Sequence, residues 1–142
     1  MGRDGATWRD QRSQAAAGQV RRLAERQAAE TAQARRLIAG FLEAAANAGI
    51  EPVPLYARGW GDRGRYRTGL RGWYLRLNES SAIDTEGNFY VMTVPPGLRS
   101  RLYGARPEAS DPPLVLGKGA RDGESIDLAE ALENTLERAR KA

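Results

Sequence analysis

The stretch "GWYLRLNESSAIDTEGNFYVMTV", residues 72–94, decides the fold of this chain. It holds three short runs of β-branched, aromatic and alternating apolar residues, separated by polar segments. These runs are residues 72–77, 81–84 and 88–94. Alternation with a period of two is typical of strands, and the glycine that ends the polar segment "DTEG" suits a hairpin. The stretch therefore predicts a three-stranded antiparallel meander, with Trp73, Leu75, Leu77 and Phe89 on its core face.

Upstream of the meander, residues 7–48 predict one long helix or two helices in line. This segment is rich in Ala, Arg, Gln, Glu and Leu, which are strong helix formers. Gly49, followed by Pro52, is typical of a helix end. The apolar stripe is broad only in the second half of the segment. We therefore expect the second half to pack on a domain and the first half to project into solvent.

A weak heptad-like pattern runs along this predicted helix. It makes the helix a candidate interface with a partner helix, either in another protein or in a second copy of the chain. The candidate interface residues are Val20, Leu23, Ala34, Leu37 and Phe41. The chain accordingly divides into a long Ala/Arg-rich helix, residues 1–50, and a small α+β domain, residues 51–142.

The remaining segments complete the predicted α+β fold. "EPVPLYARGWGDRG", residues 51–64, is interpreted as an extended linker because of its prolines and glycines. Residues 97–104 are a candidate fourth strand and residues 114–117 a short apolar strand. A final helix begins near Asp127, where Glu130 has capping-box spacing. The predicted architecture is a long N-terminal helix, a small antiparallel meander sheet and a short C-terminal helix packed on one sheet face.

Two blocks of the domain resemble stretches of small uncharacterised proteins from high-GC Gram-positive bacteria. They are "RGWYLRLNESSAIDTEGNFYVMTVPPGL", residues 71–98, and "LVLGKGARDGES", residues 114–125. The resemblance spans about the C-terminal two thirds of the chain. It implies no known activity.

Composition excludes several classes of enzyme and metal protein. The chain has neither Cys nor His, which rules out structural zinc sites with those ligands and catalysis by thiolate or imidazole. The carboxylate pairs Asp84–Glu86 and Asp122–Glu124 lack metal-ligand spacing and suit turns and loops. We therefore expect a non-enzymatic protein with no cofactor, no metal site and no catalytic residues.

An arginine-rich segment with interleaved aromatic residues is a candidate nucleic-acid surface. Arg63, Arg65 and Arg67 alternate along the chain, so an extended backbone places them on one face. Guanidinium groups bind phosphates, and aromatic rings stack on bases. The candidate nucleic-acid-binding residues are Trp60, Arg63, Arg65, Tyr66, Arg67 and Arg71. In the alternative interpretation, these arginines form ion pairs across a sheet with Asp62, Glu79, Asp84 and Glu86.

The regional charges and the hydropathy of the chain bear on two classes of partner, polyanions and membranes. Residues 1–50 and 51–104 each carry an excess of three positive charges, whereas residues 105–142 carry an excess of two negative charges. No run of apolar residues is long enough for a membrane span, and no secretory signal pattern is seen, so we expect a cytoplasmic protein. The leading hypothesis is a helix-mediated interaction module, and the alternative is a nucleic-acid-associated protein.

Overall fold

A computed structural model describes the backbone of residues 2–59, 64–94, 104–118 and 124–142, with side chains from residue 7 onward. Its elements in chain order are α1 (Gly2–Asn47), β1 (Val53–Gly59), β2 (Arg65–Tyr74), β3 (Ser81–Asp84), β4 (Phe89–Val91), β5 (Thr93–Val94), β6 (Val115–Leu116), β7 (Ile126–Asp127) and α2 (Leu128–Lys141). The α+β class is confirmed, with a long N-terminal helix, an antiparallel-dominated sheet and a short C-terminal helix.

Helix α1 is continuous over 46 residues and ends where the sequence predicts. Gly49 adopts a φ of 68°, in the left-handed region that favours glycine. The Gly49 N–H donates to the Ala46 carbonyl at 3.2 Å, and the Ile50 N–H donates to the Ala45 carbonyl at 2.9 Å. These two bonds form a Schellman motif, which satisfies carbonyls that the helix end leaves without partners.

Only the second half of α1 packs on the domain. Its buried side chains recur at helical spacing and are Ala34, Ile38, Phe41 and Ala45. The Phe41 ring meets the Trp73 ring edge to face, with the centroids 5.3 Å apart and the planes 77° apart. Helix α2 joins the same cluster through Leu128, Ala131 and Leu132. Both helices therefore cover one face of the sheet, as predicted.

The sheet closes on itself at Met92. Its strand order is β4-β3-β2-β1-β5, and the two edge strands are separated along the chain only by Met92. The Met92 N–H donates to the Ser80 carbonyl at 2.9 Å, on the β3 side. The Met92 carbonyl accepts from the Arg58 N–H at 2.7 Å, on the β1 side. One short stretch of chain thus bonds to both ends of the sheet.

Closure gives the sheet two separate apolar faces. The interior cluster consists of Leu55, Leu70, Ala82, Tyr90 and Met92. The exterior cluster, beneath the helices, includes Trp73, Leu75, Ile83, Phe89 and Leu116. The predicted core positions Trp73, Leu75 and Phe89 are confirmed, with relative exposures of 8%, 2% and 4%. Leu77 was expected on the same face, but β2 ends at Tyr74, and Leu77 is 81% exposed.

The prediction of a linker over residues 51–64 is wrong, because residues 53–59 form β1. This strand pairs antiparallel with β2, and the pairing register shifts between Pro54 and Tyr56. Opposite the shift, Gly69 adopts a φ of 76°. The Thr68 hydroxyl donates to the Leu55 carbonyl at 2.6 Å and accepts from the Leu70 N–H at 3.1 Å. The irregular pairing and the Thr68 side chain together accommodate a strand that contains a proline.

Four smaller predictions have mixed outcomes. The first meander strand begins at Arg65, earlier than predicted, and the apolar segment after Pro113 supplies β6, which pairs with β7. The candidate fourth strand over 97–104 lies outside the described residues except for Gly104. Asp127 is the N-cap residue of α2, but its side chain makes no capping hydrogen bond, so the predicted capping box does not form.

The hairpin between β3 and β4 is organised by the Asp84 carboxylate. The carboxylate accepts hydrogen bonds from the backbone N–H groups of Glu86 and Asn88, from the Asn88 amide and from the Tyr90 hydroxyl, all between 2.8 and 3.0 Å. Burial acts to raise the pKa of Asp84, but these donors together outweigh burial and hold the pKa below its usual range. Gly87 has the predicted positive φ, 89°.

Replacing Trp73 tests the packing of α1 on the sheet. Trp73→Ala should lower the free energy of unfolding by about 3–5 kcal/mol, because it removes the ring that Phe41 contacts. Trp73→Phe should cost much less, since it keeps a ring there and removes an indole N–H that has no hydrogen-bond partner among the described residues. Urea unfolding measures both, with Trp8→Ala as the exposed control. Equal effects of Trp73→Ala and Trp8→Ala would contradict this packing.

Asp84→Asn should destabilise the protein by about 1.5–3 kcal/mol at neutral pH, because it weakens hydrogen bonds to a charged acceptor. The folded-state pKa of Asp84 is depressed, so its stabilisation is present above the unfolded value of about 3.9 and disappears as the pH falls through the folded value. The difference between wild type and variant should therefore shrink below about pH 4. Asp127→Asn, which removes a carboxylate with no capping bond, is the control. A difference that stays constant on acidification would show that the Asp84 charge is not responsible.

Candidate functional site

The predicted partner-helix residues fall into two structural groups. Val20 and Leu23 are 67% and 59% exposed. Ala34 and Phe41 are buried against the domain, so within a single chain they belong to its core. Leu37 is half-buried and lines a small groove of about 220 Å³ between α1 and α2. The exposed part of the candidate interface is therefore confined to the first half of α1.

The outer face of β2 carries the arginine row that the sequence indicates. Arg65, Arg67 and Arg71 are exposed, whereas Tyr66 and Thr68 alternate with them and are buried. The predicted alternation is confirmed for these residues. Tyr66, however, is only 3% exposed, so its ring cannot stack on a base. Trp60 and Arg63, the other two candidate nucleic-acid residues, lie outside the described residues.

Glu79 forms ion pairs with two arginines on this outer face. Its carboxylate oxygens lie 2.9 Å from the Arg58 guanidinium and 3.1 Å from the Arg65 guanidinium. Glu79 has a φ of 61°, unusual for a residue other than glycine. Burial acts to raise the pKa of Glu79, but the hydrogen bond from Arg58 and the charge of Arg65 outweigh burial and lower it. The alternative interpretation of the sequence, ion pairing, thus holds for Glu79.

Two aromatic side chains connect this ion-pair cluster to the sheet. The Arg65 guanidinium lies over the Tyr56 ring, 4.7 Å from its centroid, and the Tyr56 N–H donates to the Tyr74 hydroxyl at 2.7 Å. The Tyr74 hydroxyl in turn donates to the Tyr56 carbonyl at 3.3 Å, and burial raises the pKa of Tyr74. These contacts make the Glu79 end of the arginine row a structural cluster that supports β1.

The other end of the row surrounds a pocket of about 600 Å³. Its charged lining residues are Arg67, Arg71 and Arg106, and no acidic residue lines it within the part of the chain that the structure describes. Arg106 reaches the pocket because the Ala105 N–H donates to the Arg67 carbonyl at 2.7 Å, which fixes this segment beside β2. Sequence analysis missed Arg106, because no local pattern indicates that residues 104–106 return to β2.

Among the carboxylates considered for catalysis or metal binding, the described ones form no group of metal ligands. The Asp84 carboxylate is fully used in its hairpin, Glu86 is exposed, and Asp122 lies outside the described residues. Within the described ranges, no three carboxylates are grouped as metal ligands would be. In the same ranges, no helix is both long and apolar enough to cross a membrane.

Glu79→Gln tests the ion-pair cluster. Removal of the charge should lower the free energy of unfolding by about 0.2–1 kcal/mol for each of the two pairs, because both arginines are about half exposed. The loss should diminish in high salt, which screens such pairs. Urea unfolding at low and high salt measures this effect. Glu108→Gln, an exposed residue in a loop, is the control, and an equal loss in both variants would contradict a specific role for Glu79.

The chain was compared with protein families, curated proteins and solved structures, and none of the three comparisons finds a match. The function proposed below therefore depends on the geometry of the described residues.

Proposed function

We propose that this protein is a non-enzymatic interaction module that assembles through the exposed part of α1, residues 7–33, which we call the arm. Every residue of the arm is exposed except Gly18 and Thr31, which are partly covered. At a rise of 1.5 Å per residue, the arm is about 40 Å long. The observation that carries the proposal is this length of continuous helix whose side chains stay exposed beside the described residues of the domain.

Val20 and Leu23 of the arm lie on the same side of α1 as the residues that pack on the sheet. Residues seven apart share a face of a helix, so Val20 is in line with Ala34 and Phe41. Leu23 is in line with Leu37 in the same way. The stripe that docks onto the domain therefore continues beyond it through Val20 and Leu23, two of the exposed large apolar side chains of the arm.

Energetics favour a partner for the arm. Helices in proteins obtain most of their stability from packing of an apolar face, and the arm has no such packing within the described chain. Its good helix formers and the contact of Arg12 over the Trp8 ring, 4.5 Å from the centroid, provide only local support. Burial of Val20 and Leu23 against another molecule would supply the missing tertiary contribution.

A second copy of the chain is the occupant we propose first, and another protein is the alternative. A pair of arms would bury Val20 and Leu23 of both chains, each contributing about 1.5–3 kcal/mol at full burial. The entropic cost of association offsets much of this gain, so we expect a dissociation constant in the micromolar to millimolar range. We propose the cytoplasm as the location, with which a chain that lacks cysteine is compatible.

Binding of nucleic acid is the weaker candidate function. Arg67 and Arg71 support it, since they are exposed on the outer face of β2. Against it stand the burial of Tyr66 and the ion pair of Arg65 with Glu79, which remove a stacking ring and a phosphate contact. A salt titration distinguishes the two candidates, because phosphate contacts give a steep dependence of affinity on salt.

The double variant Val20→Glu with Leu23→Glu tests the proposed assembly. Two charges on the stripe should shift the dimer towards monomer, because they would have to be buried without partners. Analytical ultracentrifugation over micromolar to millimolar protein concentrations measures the effect. The melting temperature should remain nearly unchanged, since both side chains are exposed in the single chain.

The matched control is Ala29→Glu with Ala32→Glu. These residues have the same spacing and are exposed, but they lie on the opposite side of α1 from Val20 and Leu23. This control should assemble as the wild type does. A wild-type chain that remains monomeric at millimolar concentration would refute self-assembly, and equal behaviour of the two double variants would show that the stripe is not the interface.

A further inference from the structure

The pocket beside the irregular pairing of β1 and β2 combines an open cavity with a concentration of positive charge. Arg67 and Arg71 extend from β2, and Arg106 approaches from the segment that follows residue 103. Gly69 also lines the pocket, and no described heavy atom lies within 4 Å of the place where its Cβ would be. The pocket therefore has open space at Gly69, opposite the register shift of β1.

The charge in this pocket lacks the neutralisation found elsewhere on the same face. Arg58 and Arg65 both pair with Glu79. Arg67 and Arg106, by contrast, have no ion pair with any acidic side chain in the described parts of the chain, and no acid lines the pocket. Like charges in one pocket repel each other, and a bound anion would remove that cost. The pocket thus offers a site for a negatively charged group.

Arg71 is held in place at the pocket by the backbone. Its guanidinium donates a hydrogen bond to the Pro52 carbonyl at 3.0 Å. A guanidinium carries five N–H donors, so one such bond leaves others for a ligand. An arginine that is already oriented loses less side-chain entropy when it binds an anion. This anchoring distinguishes the pocket from a group of mobile surface arginines.

The neutral walls of the pocket suit a ligand with an apolar part. Pro54, Tyr56 and Ala105 line it, together with Leu55 and Leu70, two strand residues whose side chains belong to the interior cluster. Small-molecule sites typically combine such walls with a few placed polar groups, in volumes of about 300–1,000 Å³. The pocket volume of about 600 Å³ lies within that range.

We infer that this pocket binds a small organic phosphate, with the phosphate between Arg67, Arg71 and Arg106 and an apolar ring against Pro54 and Tyr56. Arginine matches the geometry of phosphate oxygens by donating paired hydrogen bonds. Three guanidinium groups balance the charge of a phosphate monoester better than that of a single carboxylate. The proposed site is independent of the assembly proposed for the arm, which lies on a different element.

The test titrates the 142-residue chain with phenyl phosphate and, separately, with inorganic phosphate. Calorimetry measures the affinities, and amide NMR spectra locate the binding site. Phenyl phosphate should bind saturably and at least about tenfold more tightly than inorganic phosphate, a difference of about 1.4 kcal/mol that reports the apolar walls. The amide shifts should cluster at residues 54–56, 67–71 and 104–106. Arg67→Gln with Arg106→Gln should weaken the binding of phenyl phosphate at least about tenfold.

Arg21→Gln with Arg36→Gln is the matched control, since it removes the same charge from exposed positions on α1. It should leave binding and the melting temperature unchanged. The inference is overturned if phenyl phosphate fails to saturate the protein at millimolar concentration, or if both double variants lose binding equally. Tight binding of a ten-nucleotide oligothymidine without binding of phenyl phosphate would also overturn it, and would assign the pocket to nucleic acid.

Discussion

Two backbone hydrogen bonds made by Met92, one to the Ser80 carbonyl and one from the Arg58 N–H, hold the edges of the sheet together. Strands β4 and β5 are the two edges of the sheet, and Met92 lies between them in the chain. Its two bonds therefore join the edges and close the sheet. Closure creates an interior that the strands fill by themselves, and it frees the outer face of β2, β3 and β4 for the helices. The position of α1, and with it the direction of the arm, follows from this arrangement.

The small interior requires that every polar group entering it finds a partner. Tyr90 enters from β4, and its hydroxyl donates to the Asp84 carboxylate. Where the pairing of β1 and β2 shifts register, the Thr68 hydroxyl bonds to the Leu55 carbonyl and the Leu70 N–H. The Tyr74 hydroxyl accepts from the Tyr56 N–H and donates to the Tyr56 carbonyl. An unpaired buried polar group would cost several kcal/mol, so these side chains complete a sheet whose backbone ladder is incomplete.

The outer face of the sheet separates structural arginines from arginines that remain open to a ligand. At one end, Glu79 pairs with Arg58 and Arg65 and so supports the cluster around Tyr56. At the other end, Arg67 and Arg106 line a pocket to which the described residues contribute no acidic side chain. The same residue type therefore has two roles, which depend on whether the fold brings a carboxylate within reach. The arm of α1 is a third surface. It differs from both groups of arginines, because the side chains proposed to bind a partner there, Val20 and Leu23, are apolar and exposed.

The sequence by itself determined the features that arise from local patterns. Alternation of side chains specified the meander and the burial of Trp73, and helix-forming composition with Gly49 specified a long helix and the place where α1 ends. The sequence alone could not predict strand β1. Pro52 and Pro54 indicate a linker, and residues 53–59 become a strand only because β2 pairs with them. Tertiary structure alone decided that β2 pairs with β1 and that the sheet closes. It also decided which arginines form ion pairs with Glu79. The physical reason is that hydrogen bonds and ion pairs between residues far apart in the chain leave no periodic signal in the sequence.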